Sequence, residues 1–258
     1  MAHPFDYRLD AIADRIDRAE EHIGALKVAL RAYFESDAYE FRGDYDAYSN
    51  EFPITGRAQM VEPRICTLAG EVLHNLRSAL DHLAWELVRA NSGQPDENTS
   101  FPILHVGPTP NKKGIQPPPY ISGGVSAAAQ VIVGDAQPYK LGTAYAGHPL
   151  WPLQRINIVD KHRHVAIEGL FLTNTSFMPS DFEDCTWTAQ REHVDEYGAQ
   201  LAMVPDDPSV NMQGSSTLQV VIHEPADGIQ GRPLLRSLED ALATVREIFN
   251  AARANCFP

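Results

Sequence analysis

Residues 6 to 35 repeat apolar positions at alternating intervals of three and four. Leu9, Ile12, Ile16, Ala19, Ile23, Leu26, Leu30 and Tyr33 carry the repeat, and Asp, Arg, Glu and Lys fill much of the rest. The spacing predicts one helix of about eight turns with a single apolar seam. Such a seam closes either against a second copy, as a coiled coil, or against an antiparallel partner in the same chain. Between residues 37 and 62 the helical period is lost. Aromatic residues there are interrupted by Gly43, Asp46, Asn50 and Pro53, which predicts an irregular hairpin or a pair of short strands. Pro63 suits the first turn of a helix, where its missing N–H costs nothing. The helix it opens is predicted to run to Ala90 and to stop at "NSGQP".

Residues 91 to 152 are loop-rich. "GPTPNKKGIQPPPYISGG" holds too much Pro and Gly for a packed element, and a short helix is expected between Ser126 and Gly134. From Ile156 the pattern changes to strands. "HVAIEGLFLTN" is apolar and β-branched, "EDCTWTAQ" alternates, and "AQLAMV" and "STLQVVIHE" follow, with Leu218, Val220 and Ile222 on one face. A last helix is predicted over about 234–255. Leu238, Leu242, Val245, Ile248 and Phe249 form its stripe, and Ser237 and Asp240 have capping-box spacing. The elements predict a single α+β domain over residues 1–258, with long helices packed with a mostly antiparallel β-sheet. Its helical part covers about 6–91, its loop-rich part 91–155 and its β-rich part 156–225, before the C-terminal helix.

Charge narrows the function classes. With 21 basic and 34 acidic residues the net charge is −13, and no Lys/Arg-rich run is present. That balance argues against a broad polyanion-binding surface. Cys66, Cys185 and Cys256 lack any CxxC spacing, so they indicate neither a disulfide framework nor a zinc motif. The opening "MAHPFDYRLDAIADRIDRAEE" has no apolar core of a signal peptide, and no run of about 20 apolar residues occurs. A cytoplasmic protein without a membrane span is expected.

The candidate chemistry lies in "GEVLHNLRSALDHLAWELV", residues 70 to 88. Leu73, Leu76, Leu80, Leu83 and Leu87 gather on one arc of this helix. The opposite arc holds Glu71, His74, Asn75, Ser78, Asp81, His82 and Trp85, flanked by Arg77. His and Asn are weak helix formers, so propensity does not explain them. Such a face implies a second contact, either a buried polar network or a ligand. Arg77 and Asp81, four apart, are placed for a helical ion pair.

"RSALDH" also resembles the R-x4-6-H signature of the HEPN superfamily, helical domains that include many bacterial ribonucleases. The resemblance covers this helix and extends at most to the first and last helices. It implies metal-independent RNA cleavage or nucleotide handling. Arg77 would hold phosphoryl oxygens through its planar fork, and His82 would move a proton. His74, Ser78 and Asp81 would orient the pair, and a homodimer would bring two pairs together. Ser78 stands where the family often has Asn, Asp or His. The wider run "LHNLRSALDHLAWEL", with "FPI" and "DKHR" downstream, is similar to a pattern among bacterial proteins to which no activity attaches.

A second polar cluster, "NIVDKHRHVAI", precedes an apolar strand. Loops at strand ends often bring catalytic groups to a cleft. Packed over the polar helix face, it would bring Asp160 and His162 to His74, Asp81 and His82. Such residues suit zinc or iron, but neither H-x3-H nor HExxH occurs, so no residue is assigned to a metal and no cofactor is expected. Three readings follow. The first is an HEPN-like, metal-independent ribonuclease or nucleotide-handling protein, with RNA or a nucleotide as partner. The second is a non-catalytic structural or ligand-binding protein in which the polar face and "DKHR" form a buried network. The third is a metal-dependent hydrolase using the same histidines.

Overall fold

The computed structural model describes residues 6–36, 61–110, 112, 119–156, 220–222 and 228–257 with their side chains. Residues 39–43, 51–58, 157–160, 167–179, 187–189, 192–194, 199–205 and 212–219 are described as backbone alone. The helices are α1 (Asp6–Glu35), α2 (Pro63–Ala90), α3 (Ala127–Asp135), α4 (Leu150–Asp160) and α5 (Leu234–Cys256), with a 3₁₀ segment at Pro138–Gly147. The strands are β1 (Tyr39–Gly43), β2 (Glu51–Ala58), β3 (Ile167–Pro179), β4 (Trp187–Ala189), β5 (Glu192–Val194), β6 (Ala199–Pro205), β7 (Met212–Ile222) and β8 (Arg232–Pro233).

All eight seam residues of α1 are buried. They close against α2 and α5 of the same chain, which decides between the two partners the repeat allowed. Both neighbours run antiparallel to α1, as the polar contacts along their edges show. Against α2, Arg8 meets Glu86 at 3.4 Å and His22 Nδ1 lies 3.2 Å from Glu71. Against α5, Lys27 meets Glu239 at 2.7 Å, Arg246 meets Asp17 at 2.9 Å, and Arg253 meets Asp10 at 3.4 Å. Glu86 is buried, and the exposed pairs among these contribute about 0–1 kcal/mol each. Each fully buried Leu or Ile of the seam contributes about 1.5–3 kcal/mol, so burial holds the helices and the ion pairs set their direction. The five leucines of the α2 stripe are buried, as are Leu238, Val245, Ile248 and Phe249 of α5, while Leu242 lies at the rim.

The expected α+β packing is corrected by this arrangement. Among the residues described with their side chains, helix makes up 70% and the sheet is two-stranded. That sheet is the pairing of Val221 with Pro233 and of Ile222 with Arg232. The long helices bury their stripes in one another, not in a sheet. Their main contact with strand structure is α5 against β7 and β8. Residues 150–160, divided between the loop-rich and β-rich parts in the sequence reading, form α4. The capping box at Ser237 is also corrected. α5 begins at Leu234, and the Ser237 hydroxyl, inside the helix, donates to the Pro233 carbonyl at 2.8 Å. Asp240 pairs instead with Arg236 at 3.0 Å.

The stretch between α2 and α4 is tightly fastened. α2 ends where the Gly93 N–H donates to the Val88 carbonyl at 2.9 Å. A Cβ on Gly93 would lie 2.5 Å from the Gly123 carbonyl oxygen, and Gly123 itself has φ +91, so both positions need glycine. Asp96 accepts from the Ser122 hydroxyl at 2.8 Å and from the Asn98 N–H at 2.9 Å. These bonds, Ser122 foremost, hold its carboxyl below the usual carboxylate range. Gln137 is fully buried. Its Oε1 accepts from Leu104 N at 2.9 Å, and its Nε2 donates to the carbonyls of Pro102 at 2.9 Å and Val133 at 2.8 Å. Ser126 caps α3 by accepting from Ala129 N, as its position before the short helix predicts. Among the described residues, no helix is long and apolar enough to cross a membrane.

Candidate functional site

The polar arc of α2 divides into two parts that face different neighbours. Arg77 and Asp81 sit one turn apart, and their side chains form a two-point pair. Arg77 Nε donates to Asp81 Oδ2 at 3.1 Å, and Nη2 donates to Oδ1 at 2.7 Å. The pair then grips the main chain of Phe101. Arg77 Nη2 donates to its carbonyl at 2.8 Å, and its N–H donates to Asp81 Oδ1 at 3.0 Å. α4 closes the arrangement from the other side, where Gln154 Oε1 accepts from Arg77 Nη1 at 3.2 Å.

A guanidinium has five N–H donors. Four are engaged here, two by Asp81 and one each by Phe101 and Gln154. The Arg77 side chain keeps 12% of its exposure and Asp81 keeps 36%. Phe101 is itself in the core, so the network ties a buried loop residue and α4 to the middle of α2. The polar arc therefore has the second contact that its composition implied, with the "FPI" loop and α4 supplying it.

His82 belongs to the other part. It is exposed, and its Nδ1 lies 2.7 Å from the Ser78 carbonyl and 3.3 Å from the Ser78 hydroxyl. A carbonyl only accepts, so Nδ1 carries the proton, and Nε2 of the neutral ring keeps its lone pair. His74 and Trp85 are exposed along the same side of the helix. Arg77 and His82 thus share a helix but not a neighbourhood. One is fastened inward by Asp81, Phe101 and Gln154, while the other turns back on Ser78.

Asp160 is the last residue of α4. His162 lies outside the described residues, as does the rest of the "DKHR" turn. Among the described residues, no group of three or more His, Cys, Asp or Glu could hold a metal ion. A separate groove of about 400 Å³ runs between α1 and α5 over Ile23, Gly24, Leu242 and Ala243. Its charged rim is already paired, Lys27 with Glu239 and Arg246 with Glu20.

Sequence reasoning missed Gln154 and Gln137. A glutamine on an unrecognised helix and one after a short helix carry no spacing that marks them as partners. The one available signal was "FPI", whose first residue supplies the main-chain half of the network. Searches of family models, curated proteins and solved structures find no match to this chain.

Proposed function

We propose that this chain is a non-catalytic ligand-binding protein of the cytoplasm, in which Arg77 and Asp81 are structural and the exposed side of α2 is the working face. The carrying observation is the engagement of four of the five Arg77 donors. A phosphate drawn to Arg77 would find one N–H, and two-point binding through the planar fork would have to displace Asp81, the Phe101 carbonyl or Gln154. An unsatisfied buried polar group costs about 1–3 kcal/mol, so such a rearrangement works against phosphate binding. The net charge of −13 opposes it further. His74, His82 and Trp85, which is 39% exposed, lie together on the exposed side of α2 where a ligand would meet them.

The ribonuclease reading has one observation in its favour. The Ser78 carbonyl fixes the His82 tautomer so that Nε2 could accept a proton from a ribose hydroxyl. It needs a positive group for the phosphate, and Arg77 supplies one only by giving up its present partners.

Incubating the purified chain with single-stranded RNA in EDTA separates the two. The expected result is no cleavage above a protein-free blank, with His82→Ala within about 0.5 kcal/mol of the parent in stability. EDTA-resistant cleavage that His82→Ala lowers by about 10²–10⁴-fold, while still folded, would replace this proposal with the ribonuclease.

A further inference from the structure

We propose that His148, two residues before α4, is a titratable side-chain cap of its N-terminus, and that acidification releases the first turn of α4 and slackens the Gln154 tie to Arg77. The geometry is that of a side-chain cap. Pro149, directly before α4, has no N–H to satisfy. The next two donors both end on His148. Leu150 N donates to its Nδ1 at 3.2 Å, and Trp151 N donates to its carbonyl at 3.0 Å. Asp, Asn, Ser or Thr usually fills this role, and none of them changes its accepting oxygen near neutral pH.

An imidazole accepts at Nδ1 only while that nitrogen is unprotonated. Protonation would aim a second N–H at the Leu150 N–H, and would set a cation at the positive end of the helix dipole. The 3₁₀ segment ends at His148, whose main-chain N–H donates to the Tyr145 carbonyl at 3.0 Å, but the side chain finds no ion-pair partner among the described residues. His148 is half-buried, and burial alone lowers its proton affinity. From β8, Arg232 reaches the Ala146 carbonyl two residues away. On α4, Arg155 lies over the Trp151 ring at 5.8 Å. The His105 ring stacks at 4.9 Å from Trp151 and 5.2 Å from Tyr145. From α2, Arg77 meets α4 at Gln154 and is already paired with Asp81. Among the described residues, no carboxylate pairs with His148.

The sign follows from the direction of the shift. The folded-state pKa lies below the ordinary value of about 6.5, so the unfolded chain takes up the proton first. The cap's contribution is complete above about pH 6.5 and is lost as pH falls through the lowered folded value. Gln154 is one turn beyond Leu150, so loosening of that turn reaches the network directly.

Hydrogen exchange of the α4 amides, corrected for intrinsic rates, tests this between pH 7.5 and 5.0. In the parent chain, α4 protection should fall on the order of tenfold more than that of the α2 core. His148→Asn keeps an accepting cap that does not titrate, and should hold α4 protection across the range. His148→Ala should show reduced protection already at pH 7.5 and no further step. A pH-dependent loss in His148→Asn equal to the parent's would overturn the proposal. So would full parent-like protection of α4 in His148→Ala at pH 7.5.

Discussion

Arg77→Ala should lower the unfolding free energy by about 2–3 kcal/mol, because it breaks a partly buried ion pair and strands hydrogen-bond partners around it. The variant loses both bonds to Asp81 and leaves the Phe101 carbonyl and Gln154 without a donor. Asp81 keeps partial contact with water, which lowers the cost of leaving it unpaired. Arg77→Lys keeps the charge but not the fork. One ammonium cannot meet Asp81, Phe101 and Gln154 in the same geometry, so a loss of about 1–2 kcal/mol is expected. Urea unfolding at constant m-value measures both. A cycle with Gln154→Ala should give a coupling of about 0.5–3 kcal/mol, since the two side chains are in contact. An Arg77→Ala variant with the parent's midpoint would show that the network does not hold α2 in place.

Gln137→Leu should cost a similar amount, about 3 kcal/mol, for a different reason. The substitution nearly preserves volume, so packing is not the issue. It strands Leu104 N, Pro102 O and Val133 O, three main-chain groups that the buried amide satisfies together. Each group left unpaired costs about 1–3 kcal/mol, reduced where small shifts admit water. The loss should also be local. The Leu104 amide should exchange faster relative to α2 amides than it does in the parent. Parent-like stability would mean that the 102–104 loop finds other partners without cost.

The long helices were legible because each has one apolar stripe and one polar face. All eight residues on the α1 repeat are buried, and α2 has the predicted bounds, Pro63 to Ala90. α4 was not legible. Leu150, Trp151, Pro152, Leu153 and Ile156 are buried in near succession, so no amphipathic period marks it. Its Ile156, Ile158 and Val159 favour strand by propensity, and tertiary packing overrides them. The same limit applies to the site. The Arg77–Asp81 pair is a local, four-residue relation that spacing alone predicts. Phe101 contributes main-chain atoms, which have no side-chain signature, and Gln154 comes from a distant segment. Similarly, His82 has the right spacing from Arg77 for a joint role, yet nothing in six residues says which way each side chain turns.

The seam of α1 has a consequence for synthesis on the ribosome. α2 follows α1 closely, so the antiparallel pair is a local contact that can form early. α5 is encoded about 200 residues after α1 ends. At a translation rate of about 5–20 residues per second, that is a delay of about 10–40 s. Throughout it, the portion of the α1 seam that α5 will cover is open to water or to other chains. The α1 seam is therefore completed only once α5 has been made, long after its contact with α2 can form.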